Sequence, residues 1–305
     1  MWGRHFIKTI LFSNFFYGIC AIALSAETAF EQKIALANPS FYLLIFCGTV
    51  LYYAYAYINF AKKSSVCLNE RADWYKQNLS KISLAQKIVF VVTLACILQL
   101  SLPIWNDFRF TDISKWLIAG VLIILAYLYY GMTIPSRPKI VLRKWGFLKP
   151  LLIGFVWAGV VSAFPVIYYD TVYHTDLLFQ PLTALLFLKN CLFITILCTL
   201  FDIKDYADDS NLQLKTIIVK LGLRKTLVQV ILPLATGTWM IYFILAILGH
   251  FPPLSILLNS IPFILLIIVC RSMYQRKTIL YYLAIIDGLM LVKAVCGIIS
   301  MIILK

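Results

Sequence analysis

Acidic side chains are scarce in this chain: 13 Asp and Glu stand against 27 Lys and Arg in 305 residues. Charge of either sign is thin, at 13% of residues, where a soluble domain carries about a quarter. That excludes a large soluble domain. No low-complexity stretch or linker divides the chain, so residues 1–305 read as a single domain. The eight cysteines form no CxxC pair and lie mostly in apolar runs, which excludes a disulfide framework or a zinc site. His5, His174 and His250 are isolated near the ends of apolar runs and show no ligand spacing. The formal charge of +14 does not argue for nucleic acid, because the cations are dispersed over separate loops rather than gathered in one basic segment.

What fills the chain instead is hydrophobic sequence, 62% of it, with a mean hydropathy of +0.89. Apolar runs cover about 6–26, 40–61, 84–105, 114–134, 148–169, 178–201, 226–249, 252–271 and 279–303. Each is about 20 residues or more, the length a bilayer requires. The expectation is an all-α, multi-pass membrane protein of about nine spans. The first run, with Arg4 and Lys8 ahead of it and Ala-Leu-Ser-Ala behind, also resembles a secretory signal; its length favours a retained span.

The loops set an orientation. Lys62, Lys63, Arg71, Lys76 and Lys81 lie on one side, with Arg137, Lys139, Arg143, Lys144, Lys149, Lys204, Lys215, Lys220, Arg224, Lys225, Arg271, Arg276 and Lys277. The opposite loops hold Lys33, Arg109 and Lys115, with Glu27, Glu31, Asp107, Asp112, Asp170 and Asp176. Cationic loops face the cytoplasm. The expected setting is a bacterial inner membrane.

One cytoplasmic stretch breaks the apolar pattern: Phe201–Gly222, FDIKDYADDSNLQLKTIIVKLG. Asp202, Asp205 and Asp209 fall at i, i+3 and i+7, on one face of a continuing helix. Like charges at those spacings oppose a helix by roughly 0.2–0.5 kcal/mol per pair, so a cation belongs among them. Oxygen-only ligands suit Mg²⁺, which one or two carboxylates and phosphate oxygens usually hold. A solvated acidic helix end is the plainer alternative. The Lys and Arg of the neighbouring loops and the apolar interior favour a lipid diphosphate instead, its head at the membrane surface and its hydrocarbon tail between the spans.

At these residues the chain resembles the UbiA family of intramembrane prenyltransferases. DIKDYADD followed by KTIIVKLG is similar to that family's second aspartate-rich motif. Tyr127 to Lys149, YLYYGMTIPSRPKIVLRKWGFLK, resembles its tyrosine and basic segment. The resemblance implies a barrel of nine helices around a central cavity. It implies Mg²⁺ held by Asp202, Asp205 and Asp209, and transfer of an isoprenyl chain from an isoprenyl diphosphate to an aromatic or lipid acceptor.

The first aspartate-rich motif departs from the family. Its pattern is Asn followed by Asp four and eight residues later. Asn59 stands in that place, with Lys63 and Cys67 at the following positions. Asn69, Asp73 and Gln77 form a second alignment. Asn59 is preferred, because it ends an apolar run as Asp202 does. Either way a carboxylate is missing, and Lys63 or Lys62 is expected to meet the diphosphate as a point charge.

Lys215, Arg137, Lys139, Arg143 and Lys144 are further candidate diphosphate contacts, against the alternative that they only fix topology. Asn14, Tyr129 and Tyr130 are candidates to line the cavity; packing or interface anchoring is the alternative. Asp287, Lys293, Lys189 and Asn190 lie in spans, where ionisable groups are costly and functional by default. For Lys189, pairing with Asp287 and lining the cavity stand level. Pro181, Pro233 and Pro262 fall in spans but form no matched pair of transporter-type breaks. Two rivals stay open: a terpene cyclase of the same fold, and a non-catalytic lipid-binding or transport protein.

Overall fold

The computed structural model describes residues 2–63, 70–107, 113–130, 146–206 and 216–303, with side chains at 2–5, 60, 62–63, 103–107 and 130 left out of the description. The described residues form helices and their connections, with no strand among them. In chain order they are α1 (Trp2–Phe12), α2 (Phe15–Glu31), α3 (Pro39–Lys63), α4 (Glu70–Gln77), α5 (Leu79–Asp107) and α6 (Ile113–Tyr130). Then come α7 (Lys149–Tyr173), α8 (Pro181–Asp202), α9 (Ile217–Leu221), α10 (Leu223–Leu248), α11 (Pro253–Ser272) and α12 (Ile279–Ile303).

Seven of these helices, α3, α5, α7, α8, α10, α11 and α12, are long and apolar enough to cross a bilayer. The protein is an integral, multi-pass membrane protein. The bent pair α1–α2 counts as an eighth span when taken together, and the apolar helix at Ile113–Tyr129 is shorter than the rest. Each of the nine expected runs contains a helix among the described residues, but two of them are not simple crossings.

The first span is the clearest correction. The sequence suggests one helix over about 6–26, whereas the chain turns by 70° between Phe12 and Phe15 and α2 continues to Glu31. Asn14 makes the turn with φ 70°, a left-handed conformation in which Asn is one of the few tolerated side chains. The later end of α2 brings Glu27 and Glu31 into the bundle, not into an outer loop; both are buried.

Prolines punctuate the helices where their missing N–H does least harm. Pro150, Pro181 and Pro253 sit in the first turns of α7, α8 and α11, so Pro181 begins a helix and does not interrupt one. Pro165 and Pro233 each follow a π-helical segment, at Gly159–Ala163 in α7 and Thr226–Ile231 in α10. The carbonyls four residues before them, of Val161 and Gln229, are those a proline ring would strike in a regular helix. A wider turn there removes the clash. Pro262 lies inside α11.

Neighbouring helices close a ring. α5 packs on α3, α3 on α2, α2 on α12, α12 on α11, α11 on α10, α10 on α8, α8 on α7, and the second half of α7 returns to α5. α6 lies outside the ring against α7. Across the interior, α2 meets the π-segment of α7. The outward face is apolar, with Leu84, Ile88, Val91 and Leu98 of α5 exposed, as lipid contact demands. One buried hydrophobic cluster runs through α2, α3, α7, α8, α10, α11 and α12.

Candidate active site

α8 runs through the interior and carries the aspartate stretch out at its end. Its last turns tighten. Ile203, Lys204, Asp205 and Tyr206 each donate a backbone hydrogen bond to the carbonyl three residues earlier. Three residues per turn eclipse the side chains at i and i+3, so Asp202 and Asp205 stand one above the other. Asp202 is buried and paired with the ammonium of Lys149, the first residue of α7. Asp205 is about a third exposed and meets Lys204 at 3.1 Å; Lys204 also lies over the ring of Phe201. Asp209 and Lys215 lie outside the described residues.

The KTIIVKLG segment is built as a short helix between two caps. Thr216 Oγ1 accepts from the backbone N–H of Val219 at the start of α9, and Ile218 is buried. Gly222, at φ 77° and ψ 159°, occupies backbone space that essentially only glycine enters, and α10 begins immediately after it.

A second polar group is built by the N-terminal helices. Arg71 of α4 is 2% exposed. It donates to the carbonyl oxygen of Phe12 at 3.2 and 3.1 Å, to the Tyr57 hydroxyl at 3.3 Å, and to the side-chain oxygen of Asn14. Asn14 in turn donates to the Tyr75 hydroxyl at 2.8 Å. The Arg71 guanidinium lies 4.3 Å from the centroid of the Tyr57 ring, which stacks on Tyr75. Burial works against the guanidinium's charge, and the oxygens of Phe12, Asn14 and Tyr57 that accept from it offset that cost. Burial also raises the Tyr75 phenol, against the pull of Arg71, so it stays neutral. α4 is thereby clasped onto the bend between α1 and α2, with Lys8 and Glu70 meeting at 2.5 Å at its edge.

Beside Arg71, which lies 6.0 Å from the centroid of the Tyr17 ring, are Tyr17, Tyr53 and Trp157. Tyr17 and Tyr53 stack at 4.7 Å, and the Trp157 indole N–H donates to the Tyr53 hydroxyl at 2.6 Å. Tyr17 donates to Asp287 of α12 at 2.7 Å. The Cys198 thiol lies within electrostatic reach of Asp202, Asp287 and Lys149, and Asp287 within reach of Arg71 and Lys204. These residues form one neighbourhood at the end of the barrel where α8 ends.

The other expected positions divide. Asn59 is half-buried in α3, four residues before its end, and Lys63 closes that helix with its side chain outside the described residues. Arg137, Lys139, Arg143 and Lys144 lie outside the described residues, as do Cys67 and Asn69. Asp73 lies on α4, half-buried. Tyr129 is buried in α6, and the side chain of Tyr130 is not described. Asn14 is fully buried, with both ends of its amide engaged as described above.

The suggested Lys189–Asp287 pair does not form. Lys189 meets Glu31 at 2.5 Å and Glu27 at 3.8 Å, while Lys293 meets Glu27 at 2.7 Å. These four charges balance one another and tie α2, α8 and α12 together. Sequence reasoning missed them because it placed both glutamates in a loop. It also gave Arg71 and Lys149 no role beyond topology. Their signal is weak, since a loop cation looks the same whether it turns inward or out.

No described group of three or more His, Cys, Asp or Glu could cage a metal. The donor set nonetheless fits Mg²⁺, which needs only one or two carboxylates when phosphate oxygens supply the rest. Asp202 and Asp205, stacked on consecutive turns, provide that pair.

No protein-family model matches the chain, and no curated protein matches it. Solved structures do. A UbiA homolog from Aeropyrum pernix K1 in its apo form superposes with a TM-score of 0.61 at 14% identity, covering 97% of this chain and 98% of the other. A digeranylgeranylglyceryl phosphate synthase superposes with a TM-score of 0.57 at 14% identity, covering 97% and 99%. The fold of this chain is the UbiA fold.

Proposed function

We propose that the protein is a Mg²⁺-dependent intramembrane prenyltransferase of the UbiA type, moving an isoprenyl chain from an isoprenyl diphosphate to an aromatic or lipid acceptor. The observation that carries this reading is the stacking of Asp202 and Asp205 beside Lys149 and Lys204 at the end of an interior helix. That arrangement suits a polyanion bridged by a divalent cation.

In this reading Asp202 and Asp205, with Asp209, hold Mg²⁺ against the diphosphate. The metal would supply neutralisation of the charge that gathers on the leaving diphosphate. Lys149 and Lys204 add fixed positive charge at the same place, and Lys63, Arg137, Lys139, Arg143, Lys144 and Lys215 complete the clamp. The prenyl tail lies along the apolar interior. As the allylic carbon–oxygen bond breaks, the electron pair leaves with the diphosphate. The faces of Tyr17, Tyr53 and Trp157 stabilise the carbocation and exclude water. The acceptor then supplies the electron pair for the new bond.

A second reading, a non-catalytic lipid-binding or transport protein on the same fold, draws support from one observation: Asp202 already has Lys149 as a counter-ion. Binding of the donor tests the first reading, and release of diphosphate from the hydrolysable donor in protein that binds it separates the two. Thermal unfolding of the purified protein is followed with Mg²⁺ and a non-hydrolysable geranylgeranyl thiolodiphosphate. Ligand at 100 times its Kd adds about 2.7 kcal/mol of stability. Stabilisation that requires Mg²⁺ and vanishes in Asp202→Asn supports the enzyme. No shift with chains from ten to twenty carbons, in folded protein, sinks it.

A further inference from the structure

Five carboxylates are buried among the described residues: Glu27, Glu31, Asp170, Asp202 and Asp287. Four have a lysine within 4 Å: Lys293, Lys189, Lys115 and Lys149 respectively. Asp287 has no cation within that distance among the described residues. A carboxylate taken out of water without a paired charge is costly, and inside a membrane it marks function by default. Asp287 is also placed with care. The π-segment Tyr282–Ile286 ends on it, with its own N–H bonded to the Tyr282 carbonyl at 3.1 Å, and Met290 donates back to the Asp287 carbonyl. Such bulges occur often at functional sites.

The two oxygens of the carboxylate differ. Oδ2 accepts from the Tyr17 hydroxyl at 2.7 Å. Oδ1 accepts nothing from a described residue. The groups near the carboxylate include Tyr17 of α2, Arg71 of α4, and Cys198 and Lys204 at the end of α8, and the Cys20 thiol of α2 lies against the Asp287 backbone carbonyl. The carboxylate therefore adjoins both the aromatic faces and the end of α8 without serving either as a ligand or as an ion pair.

We propose that Asp287 is the proton acceptor of the reaction, with Tyr17 as its positioning residue. The proposal rests on the prenyltransferase reading above and deepens it. Prenyl transfer onto an acceptor X–H must dispose of a proton. The carbon–oxygen bond of the donor breaks, and its electron pair leaves with the diphosphate. The acceptor's electron pair forms the X–C bond. The X–H proton passes to Asp287 Oδ1, leaving a neutral carboxylic acid that returns the proton to water when the product departs. Tyr17, stacked on Tyr53 and bonded to Oδ2, fixes the carboxylate so that Oδ1 faces the bound acceptor.

The test needs no knowledge of the acceptor. Dicyclohexylcarbodiimide is apolar and adds to buried carboxyl groups through the fraction that is transiently protonated, so a carboxylate that exchanges a proton in a low-dielectric site is labelled over time. The intact protein in lipid nanodiscs is treated with it and digested for peptide mass spectrometry, with and without Mg²⁺ and geranylgeranyl thiolodiphosphate. The expected result is an adduct on Asp287 that falls at least tenfold when the thiolodiphosphate is bound. Asp287→Asn should lose the adduct and keep the ligand-induced thermal shift, and Asp287→Glu should restore the adduct. Tyr17→Phe should change the labelling rate without changing the thermal shift. An unlabelled Asp287 in protein that binds the thiolodiphosphate overturns the proposal while leaving the prenyltransferase reading intact. Equal labelling with and without ligand does the same. Absence of any thermal shift in the unmodified protein removes the reading itself, and the proposal with it.

Discussion

Lys149, the first residue of α7, holds its ammonium against the carboxylate of Asp202, the last residue of α8. The aspartate that heads the motif is thus neutralised before any ligand arrives. That keeps a buried carboxylate tolerable, and under the proposed function it sets a cation where the diphosphate would bind.

Breaking this pair from the lysine side leaves the Asp202 charge buried without that partner. Lys149→Met should lower stability by roughly 3–5 kcal/mol, the usual cost of orphaning one member of a buried pair. Lys149→Met with Asp202→Asn should recover most of the loss. Unfolding in a graded detergent titration measures both. A single-variant loss under about 0.5 kcal/mol, the scale of exposed pairs, would show that the contact is solvated.

The quartet of Glu27, Glu31, Lys189 and Lys293 allows a double-mutant cycle. Lys189→Met alone should cost roughly 3–5 kcal/mol, because Glu31 is left charged and buried. Lys189→Met combined with Glu31→Leu replaces the pair by apolar volume and should cost much less, giving a coupling energy of about 1–3 kcal/mol. Additive losses would mean that the two residues act separately.

Arg71 should control the N-terminal helix. Arg71→Ala removes the donors to Phe12, Asn14 and Tyr57 and leaves buried acceptors unmet, a loss of about 1–3 kcal/mol. The local consequence is faster amide hydrogen exchange across α1 and α4, with α11 unchanged. Uniformly faster exchange would indicate global destabilisation and not an opened clasp.

Gly154 of α7 sits against α8. A Cβ there would strike Thr195 Oγ1 and the carbonyl oxygen of Cys191, both on α8. Gly154→Ala should destabilise by about 1–3 kcal/mol. Gly48 in α3 faces open space, so Gly48→Ala should instead stabilise by roughly 0.5–1 kcal/mol through helix propensity. The two variants, unfolded side by side, report whether interhelical contact or propensity governs each glycine.

Much of the fold was legible because lipid imposes a simple rule. Every crossing must be a helix of about 20 apolar residues, and the runs at 40–61, 178–201, 252–271 and 279–303 reappear within a few residues as α3, α8, α11 and α12. The run at 6–26 was misread because apolar length carries no signal for the bend at Asn14. The same rule made Glu27 and Glu31 look like loop residues, since it counts charges without knowing their partners. The UbiA resemblance rested on DIKDYADD and KTIIVKLG, and the superposed structures support it at the level of fold.

The sequence by itself determined the helices, their apolar outward faces, and the close spacing of Asp202 and Asp205, because each depends on residues within a few turns of one another. Only the tertiary structure decided which charge meets which. Tyr17 and Asp287 are 270 positions apart, Lys189 and Glu31 158, and Lys149 and Asp202 53. Such pairs are set by the order in which helices close the ring. Many orders bury the same apolar area, and only the one that also satisfies the buried charges is stable in a medium that cannot solvate them.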